Sequence, residues 1–125
     1  MNKDKDKKEL LRERTKQYAS MVIRLYCELP KDRMECQVIG KQLLRSGTSV
    51  AANYREAARA RSDAEFISKI ELCSQEVDET MLWLELLRDA CGITSSHIGW
   101  LLDESNQLIS IFVTMSKNVK KRHNS

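Results

Sequence analysis

Proline occurs once, at position 30, and glycine only four times in 125 residues. Sandwiches and barrels want a turn signal roughly every 8–12 positions, so this chain has too little turn chemistry for an all-β fold. Histidine is as scarce, with only His97 and His123. The four cysteines, Cys27, Cys36, Cys73 and Cys91, are scattered without a C-x-x-C pair, whereas zinc wants clustered ligands. They read as reduced, buried small hydrophobes. A di-iron bundle needs paired Glu-x-x-His motifs, and none is present. Glycine-rich phosphate loops are also missing, as is any Ser or Cys set beside a base in a recognisable motif. No catalytic residue, metal or cofactor is therefore expected. No apolar run approaches the ~20 residues of a membrane span, and the lysine-rich N-terminus lacks the apolar stretch of a secretory signal. The expected location is the cytoplasm, with no membrane partner.

What is present is helical. A hydrophobic content of 42% beside 31% charged residues suits one water-soluble domain with a real core. Residues 1–8 alternate in charge and predict a solvated tail or frayed first turn. From about Glu9, Leu11, Thr15, Tyr18, Val22, Leu25 and Leu29 recur at steps of three and four, the spacing of one helical face. Pro30 ends that helix. Asp32 with Glu35 predicts a capping box opening a second helix that runs to about Ala58. Gly40 and Gly47 lower its propensity by about 1 kcal/mol each unless close backbone approach requires them. Ser62 with Glu65 predicts a second capping box. The third helix then carries the seam Phe66, Ile70, Cys73, Val77, Thr80, Leu84, Leu87 and Cys91, and Gly92 fits its C-terminal cap. Thr94 or Ser95 caps a fourth helix with the seam Ile98, Leu101, Ser105, Leu108, Phe112, Met115 and Val119. Residues 120–125 are expected to form a basic tail. Four such helices with short turns make an all-α, antiparallel, up-down-up-down four-helix bundle over residues 9–119. Helices 3 and 4 carry more apolar residues than one seam uses, Trp83 and Trp100 among them. That surplus predicts self-association into a homo-oligomer.

Charge is unevenly distributed. Between Lys41 and Arg61 stand five basic residues and one acid, and between Ser62 and Glu104 stand ten acids and two basic residues. Read at helical spacing, the second helix has three stripes. Cys36, Ile39, Leu43, Ser46, Val50, Asn53 and Ala57 form its seam. Gln42, Ser49, Asn53 and Glu56 make a polar stripe beside and partly within it. Lys41, Arg45, Thr48, Ala52, Arg55 and Arg59 make a basic stripe, with Arg61 just beyond. Polar groups in a core need partners. Gln42, Ser49, Asn53 and Glu56, with Glu79 from the third helix, are therefore expected to be buried and hydrogen-bonded between helices, fixing register rather than doing chemistry. The basic stripe has two readings. Lys41, Arg45, Arg55, Arg59 and Arg61 neutralise nucleic-acid phosphates, or they pair with the acidic third helix of the same or a neighbouring subunit. Aromatic interleaving for base stacking is limited to Tyr54.

From Pro30 to Ile93 the chain resembles the family of four-helix bundle proteins encoded in intervening sequences of bacterial 23S ribosomal RNA genes. The resemblance rests on Gln42, Leu43, Arg45 and Ser46, then on Ser49, Val50, Asn53 and Glu56. It continues through Arg59, Arg61, Ser62, Glu65 and Phe66 to Glu79 and Leu84. The chain departs from the family where Ala57 replaces a usual glycine and where Cys73-Ser74-Gln75-Glu76 replaces a small-residue stretch. The resemblance implies the same bundle fold and a ring-like homopentamer. It also implies a distant relation to accessory proteins of diversity-generating retroelements, which work with a reverse transcriptase and nucleic acid. The leading expectation is a non-enzymatic protein that binds an RNA or DNA backbone. The alternative is a structural or scaffolding homo-oligomer that binds no nucleic acid.

Overall fold

The computed structural model describes the backbone of residues 3–123 and the side chains of residues 6–122. Four helices follow one another: α1 (Lys3–Glu28), α2 (Met34–Ala58), α3 (Asp63–Asp89) and α4 (Ser96–His123). Each packs on the next, and α4 closes back on α1 through the weakest of the four contacts. The result is an all-α, up-down-up-down four-helix bundle. Helix α1 begins at Lys3, within the stretch expected to be a tail, and α4 continues through His123. Neither end contains a Gly or Pro to stop propagation. The outermost parts of the two expected tails, 1–2 and 124–125, lie outside the described residues.

Local chemistry sets the ends of the helices. The Ser62 hydroxyl accepts the Glu65 N–H at 3.1 Å. The Glu65 carboxylate answers from the Arg61 N–H at 3.2 Å, one residue before the expected partner. The box predicted at Asp32 does not form. Helix α2 starts at Met34 behind Arg33, which has no side-chain cap, and Glu35 is drawn instead to the Arg33 guanidinium at 2.8 Å. Gly92 takes φ +68°, the left-handed conformation that ends α3. Ser95 caps α4 by accepting the His97 N–H at 3.1 Å.

The seams of α1, α3 and α4 are buried as the periodicity predicts, with only Phe66 and Met115 left half-buried against the core. Helix α2 differs in phase. Its buried positions include Cys36, Gly40, Leu43, Gly47, Val50, Tyr54 and Ala57, while Ile39 and Asn53 are half-buried. Both patterns share Ser46 and the positions seven apart, but Gly40 and Tyr54 take the inward places of Ile39 and Asn53, and Gly47 joins Ser46 inside. The reason is steric. A Cβ on Gly40 would stand 2.6 Å from Leu29 Cδ1, and one on Gly47 would stand 2.7 Å from Val22 Cγ2. The two glycines admit α1 to close range, and α2 turns its glycine face inward.

Mid-bundle, one hydroxyl from each helix meets its neighbours. Ser46 and Thr80 oxygens lie 2.8 Å apart, and Tyr18 and Ser105 oxygens 2.6 Å apart. Tyr18 also interacts with Thr80, which brings the two pairs together, and Thr80 donates to the Glu76 carbonyl at 2.7 Å. All four residues are fully buried. Beside this layer Arg14 grips Glu104 with two bonds of 2.7 and 2.8 Å, closing α1 on α4.

Two outcomes follow for stability. Gly47→Ala should lower it by about 1–3 kcal/mol in urea unfolding, because overpacking against Val22 outweighs the helix-propensity gain. Gly99→Ala, where an added Cβ meets nothing within 4 Å, should be neutral or raise stability by up to about 1 kcal/mol. The second outcome concerns alkali. Burial pushes the Tyr18 hydroxyl up to about 12, against the opposing bonds to Ser105 and Thr80, and burial does the same to Tyr54 and the Cys73 thiol. Groups raised in the folded state support it fully below their ordinary pKa and lose that support as pH climbs to the folded value. The urea midpoint should therefore fall from about pH 9–10 toward pH 12, and Tyr18→Phe should make that fall shallower.

Candidate nucleic-acid interface

The up-down-up-down topology brings four segments to one end of the bundle: the start of α1, the end of α2, the start of α3 and the end of α4. In sequence these are the lysine-rich N-terminus, the basic hinge and the basic C-terminal run, which chain order keeps far apart. At this end an open groove of about 840 Å³ is rimmed by Lys7, Lys8, Arg61 and Lys121. Asp63 and Arg122 also line it, each engaged in interactions of its own. Its floor is apolar, with Leu11, Tyr54, Ala57, Phe66, Met115 and Val119. A smaller depression of about 200 Å³ joins it through Lys8 and Ala58, and is lined by Glu9, Arg12, Arg55 and Arg59. Cations thus outnumber acids around the whole end, and the field at the surface favours a polyanion.

The basic stripe of α2 is divided by the fold. Arg55, Arg59 and Arg61 are exposed and belong to the basic end. Among the described residues no acid lies within salt-bridge distance of their guanidinium groups, or of the Lys41 ammonium. Lys41 is exposed, but it sits 14 residues before Arg55 on the same helix, which at ~1.5 Å per residue places it about 21 Å away along the axis. Arg45 is committed to α3. Its guanidinium lies 2.7 Å from Glu79 and 3.5 Å from Glu76, and donates to Gln42 at 3.2 Å. The Glu76 contact lacks hydrogen-bond geometry, which leaves that buried carboxylate oxygen without a bonded partner among the described residues. Burial first and the Glu79 charge second push the Glu76 carboxyl up, while Arg45 opposes them.

The polar stripe is not the buried network that its residue types suggest. Within the chain Gln42 and Glu56 are exposed, and Ser49, Asn53 and Glu79 are half-buried. Ser49 bonds its own helix at the Arg45 carbonyl, 2.6 Å away. Glu56 pairs with Lys69 at 3.5 Å. The shifted phase of α2 is the cause: with Gly47 and Tyr54 inward, Gln42, Asn53 and Glu56 rotate toward the rim. The buried polar side chains that bond between helices are Ser46, Thr80, Ser105, Tyr18 and Glu104, of which the resemblance marked only Ser46; Thr15 is buried too but bonds its own helix at the Leu11 carbonyl. Tyr54, the one aromatic residue of the basic stretch, is 1% exposed and stacks on Phe112 at a centroid distance of 6.3 Å. Phe66 is half-buried against the core and lines the groove.

The apolar surplus is partly absorbed. Trp83, Leu102, Ile109 and Ile111 pack against the core. Leu82, Trp100 and Val113 stay exposed, as do Leu10, Ile23, Met34 and Val38 on the other two helices. No helix among the described residues is long and apolar enough to cross a membrane. No group of three or more His, Cys, Asp or Glu residues among them is placed to hold a metal ion.

Removing the Arg45 guanidinium would leave Glu76 and Glu79 facing each other. Arg45→Ala should lower stability by about 0.5–1 kcal/mol near neutral pH, a modest figure because solvent screens the half-exposed pair. Glu76 is raised in the folded state, so the charged carboxylate opposes folding above its folded pKa and protonation relieves it. The deficit should shrink as pH falls from about 7 to about 4, and a deficit that does not change with pH would contradict this account. Arg55→Ala and Arg59→Ala should each change stability by less than about 0.5 kcal/mol.

Comparison with known proteins agrees with the bundle. The sequence pattern of the 23S rRNA-intervening sequence protein family matches residues 8–114. A solved structure, that of a protein with unknown function from the S23 ribosomal protein family of Bacteroides thetaiotaomicron, superposes with a TM-score of 0.79 at 33% identity. The match covers 89% of this chain and 98% of that one. Among curated proteins no relative matches. With the family pattern spanning nearly the whole bundle and the solved relative sharing its fold and a third of its residues, the chain belongs to the 23S rRNA-intervening sequence protein family.

Proposed function

We propose that this protein is a non-enzymatic bundle that binds the phosphate backbone of nucleic acid through its basic end. The observation that carries the reading is the convergence at that end of Lys7, Lys8, Arg12, Arg55, Arg59 and Arg61 with the C-terminal Lys121. Fixed cations on a rigid helical frame release condensed counterions when phosphates replace them, which makes binding tight at low salt and indifferent to sequence. Arg45 falls outside this surface, since its charge is spent on Glu76 and Glu79. That pairing favours, for the middle of α2 alone, the second reading in which the basic stripe stabilises the bundle. Self-association belongs to the same proposal. The exposed Trp100, Leu82 and Val113 offer apolar contacts, and each added copy multiplies the basic end by symmetry.

The test is a titration of labelled single- and double-stranded RNA and DNA at two salt concentrations, with light scattering on the same samples. Affinity should weaken steeply as salt rises. Arg55→Ala with Arg59→Ala should reduce the salt dependence by about two phosphate contacts while leaving the assembly state unchanged. No measurable affinity for any polyanion at low salt would sink the proposal and leave the scaffolding reading.

A further inference from the structure

A surface that only neutralises phosphates has no use for an apolar floor, yet the groove at the basic end has one. Phe66 and Met115 are half-buried there, between a rim of Lys7, Lys8, Arg61 and Lys121. Phe66 and Met115 pack against the core, to which the other floor residues Tyr54, Ala57 and Leu11 belong, so the floor is continuous with the core. At about 840 Å³ the groove falls within the ~300–1,000 Å³ of small-ligand sites. From these features we infer that the groove seats an unstacked base of a single-stranded nucleic acid, with Phe66 and Met115 as its platform and the rim cations on the flanking phosphates.

Three features favour this occupant. The cationic rim selects an anion with charge on more than one side, as a strand entering and leaving the groove carries. The flat Phe66 ring and the polarisable Met115 thioether offer a face to any base without reading its edge. The groove is also open to solvent rather than enclosed, which suits a polymer better than a small molecule. A duplex keeps its bases stacked and paired and would touch only the rim. The inference rests on the proposed nucleic-acid binding and adds a preference for single strands and the residue that produces it.

The experiment compares full-length protein against a labelled single strand of about eight nucleotides, within the usual site size of one binding module, a duplex of equal length, and inorganic polyphosphate of matched charge. The single strand should bind about tenfold more tightly than the duplex at the same salt. Phe66→Leu keeps an apolar side chain and removes the flat ring; it should cut single-strand affinity by about tenfold, the loss expected for one stacked base, and leave duplex affinity and salt slope unchanged. Lys121→Glu should weaken both nucleic acids alike, as a rim cation would. Equal affinity for single strand and duplex, with Phe66→Leu inert, overturns the inference and leaves backbone binding in place. Polyphosphate binding as tightly as the single strand overturns it in the same way. Absence of binding to all three at low salt overturns the backbone reading as well.

Discussion

The four-hydroxyl layer at mid-bundle is the constraint on which the rest of the structure depends. A buried hydroxyl that loses its partner costs about 1–3 kcal/mol, so the layer penalises any slip of one helix against another. Ser46 meets Thr80, Tyr18 meets Ser105, and Tyr18 and Thr80 join the pairs. Each helix contributes one member, so a shift of any helix strands at least one group. The Arg14–Glu104 pair acts in the same direction on the α1–α4 contact, where apolar packing is thinnest.

Register fixed in this way decides what stands at the ends. With α1 and α3 starting where α2 and α4 finish, the cations of three separate sequence segments are brought together around one groove. Antiparallel order does this, and the Tyr54 hydroxyl at the end of α2 ties it to α1 by donating to the Lys8 carbonyl at 3.2 Å. The acids are distributed differently. Glu76 and Glu79 lie along the body of α3 and hold Arg45 there, so part of the positive charge of α2 is neutralised within the chain and the rest, Lys41 apart, is left at the basic end.

How much was legible in the residues differs by element. Five of the seven cap and end signals were correct in kind: Pro30, Ser62, Glu65, Gly92 and Ser95. The box at Asp32 failed because the helix starts one residue later, with Arg33 at the N-cap holding the Glu35 carboxylate. The seams of α1, α3 and α4 were legible because large apolar side chains mark them. That of α2 was half legible, since a glycine at a core position leaves no hydrophobic mark and the contact it permits belongs to Val22 or Leu29 on another helix. Misplacing that phase turned Asn53 and Glu56 into a buried network. The basic hinge was visible as a charge run, but its union with Lys7, Lys8 and Lys121 was not.

Periodicity, composition and end signals by themselves determined that this chain is four antiparallel helices, because helix formation and capping depend on neighbours within a few residues. The family signature, too, is written in consecutive residues. Tertiary structure alone decided which face of α2 is buried, which arginine is held by acids and which are left to solvent, and that a basic rim surrounds an apolar floor. Each of those depends on the distance between side chains far apart in sequence, and such distances exist only after the helices have packed.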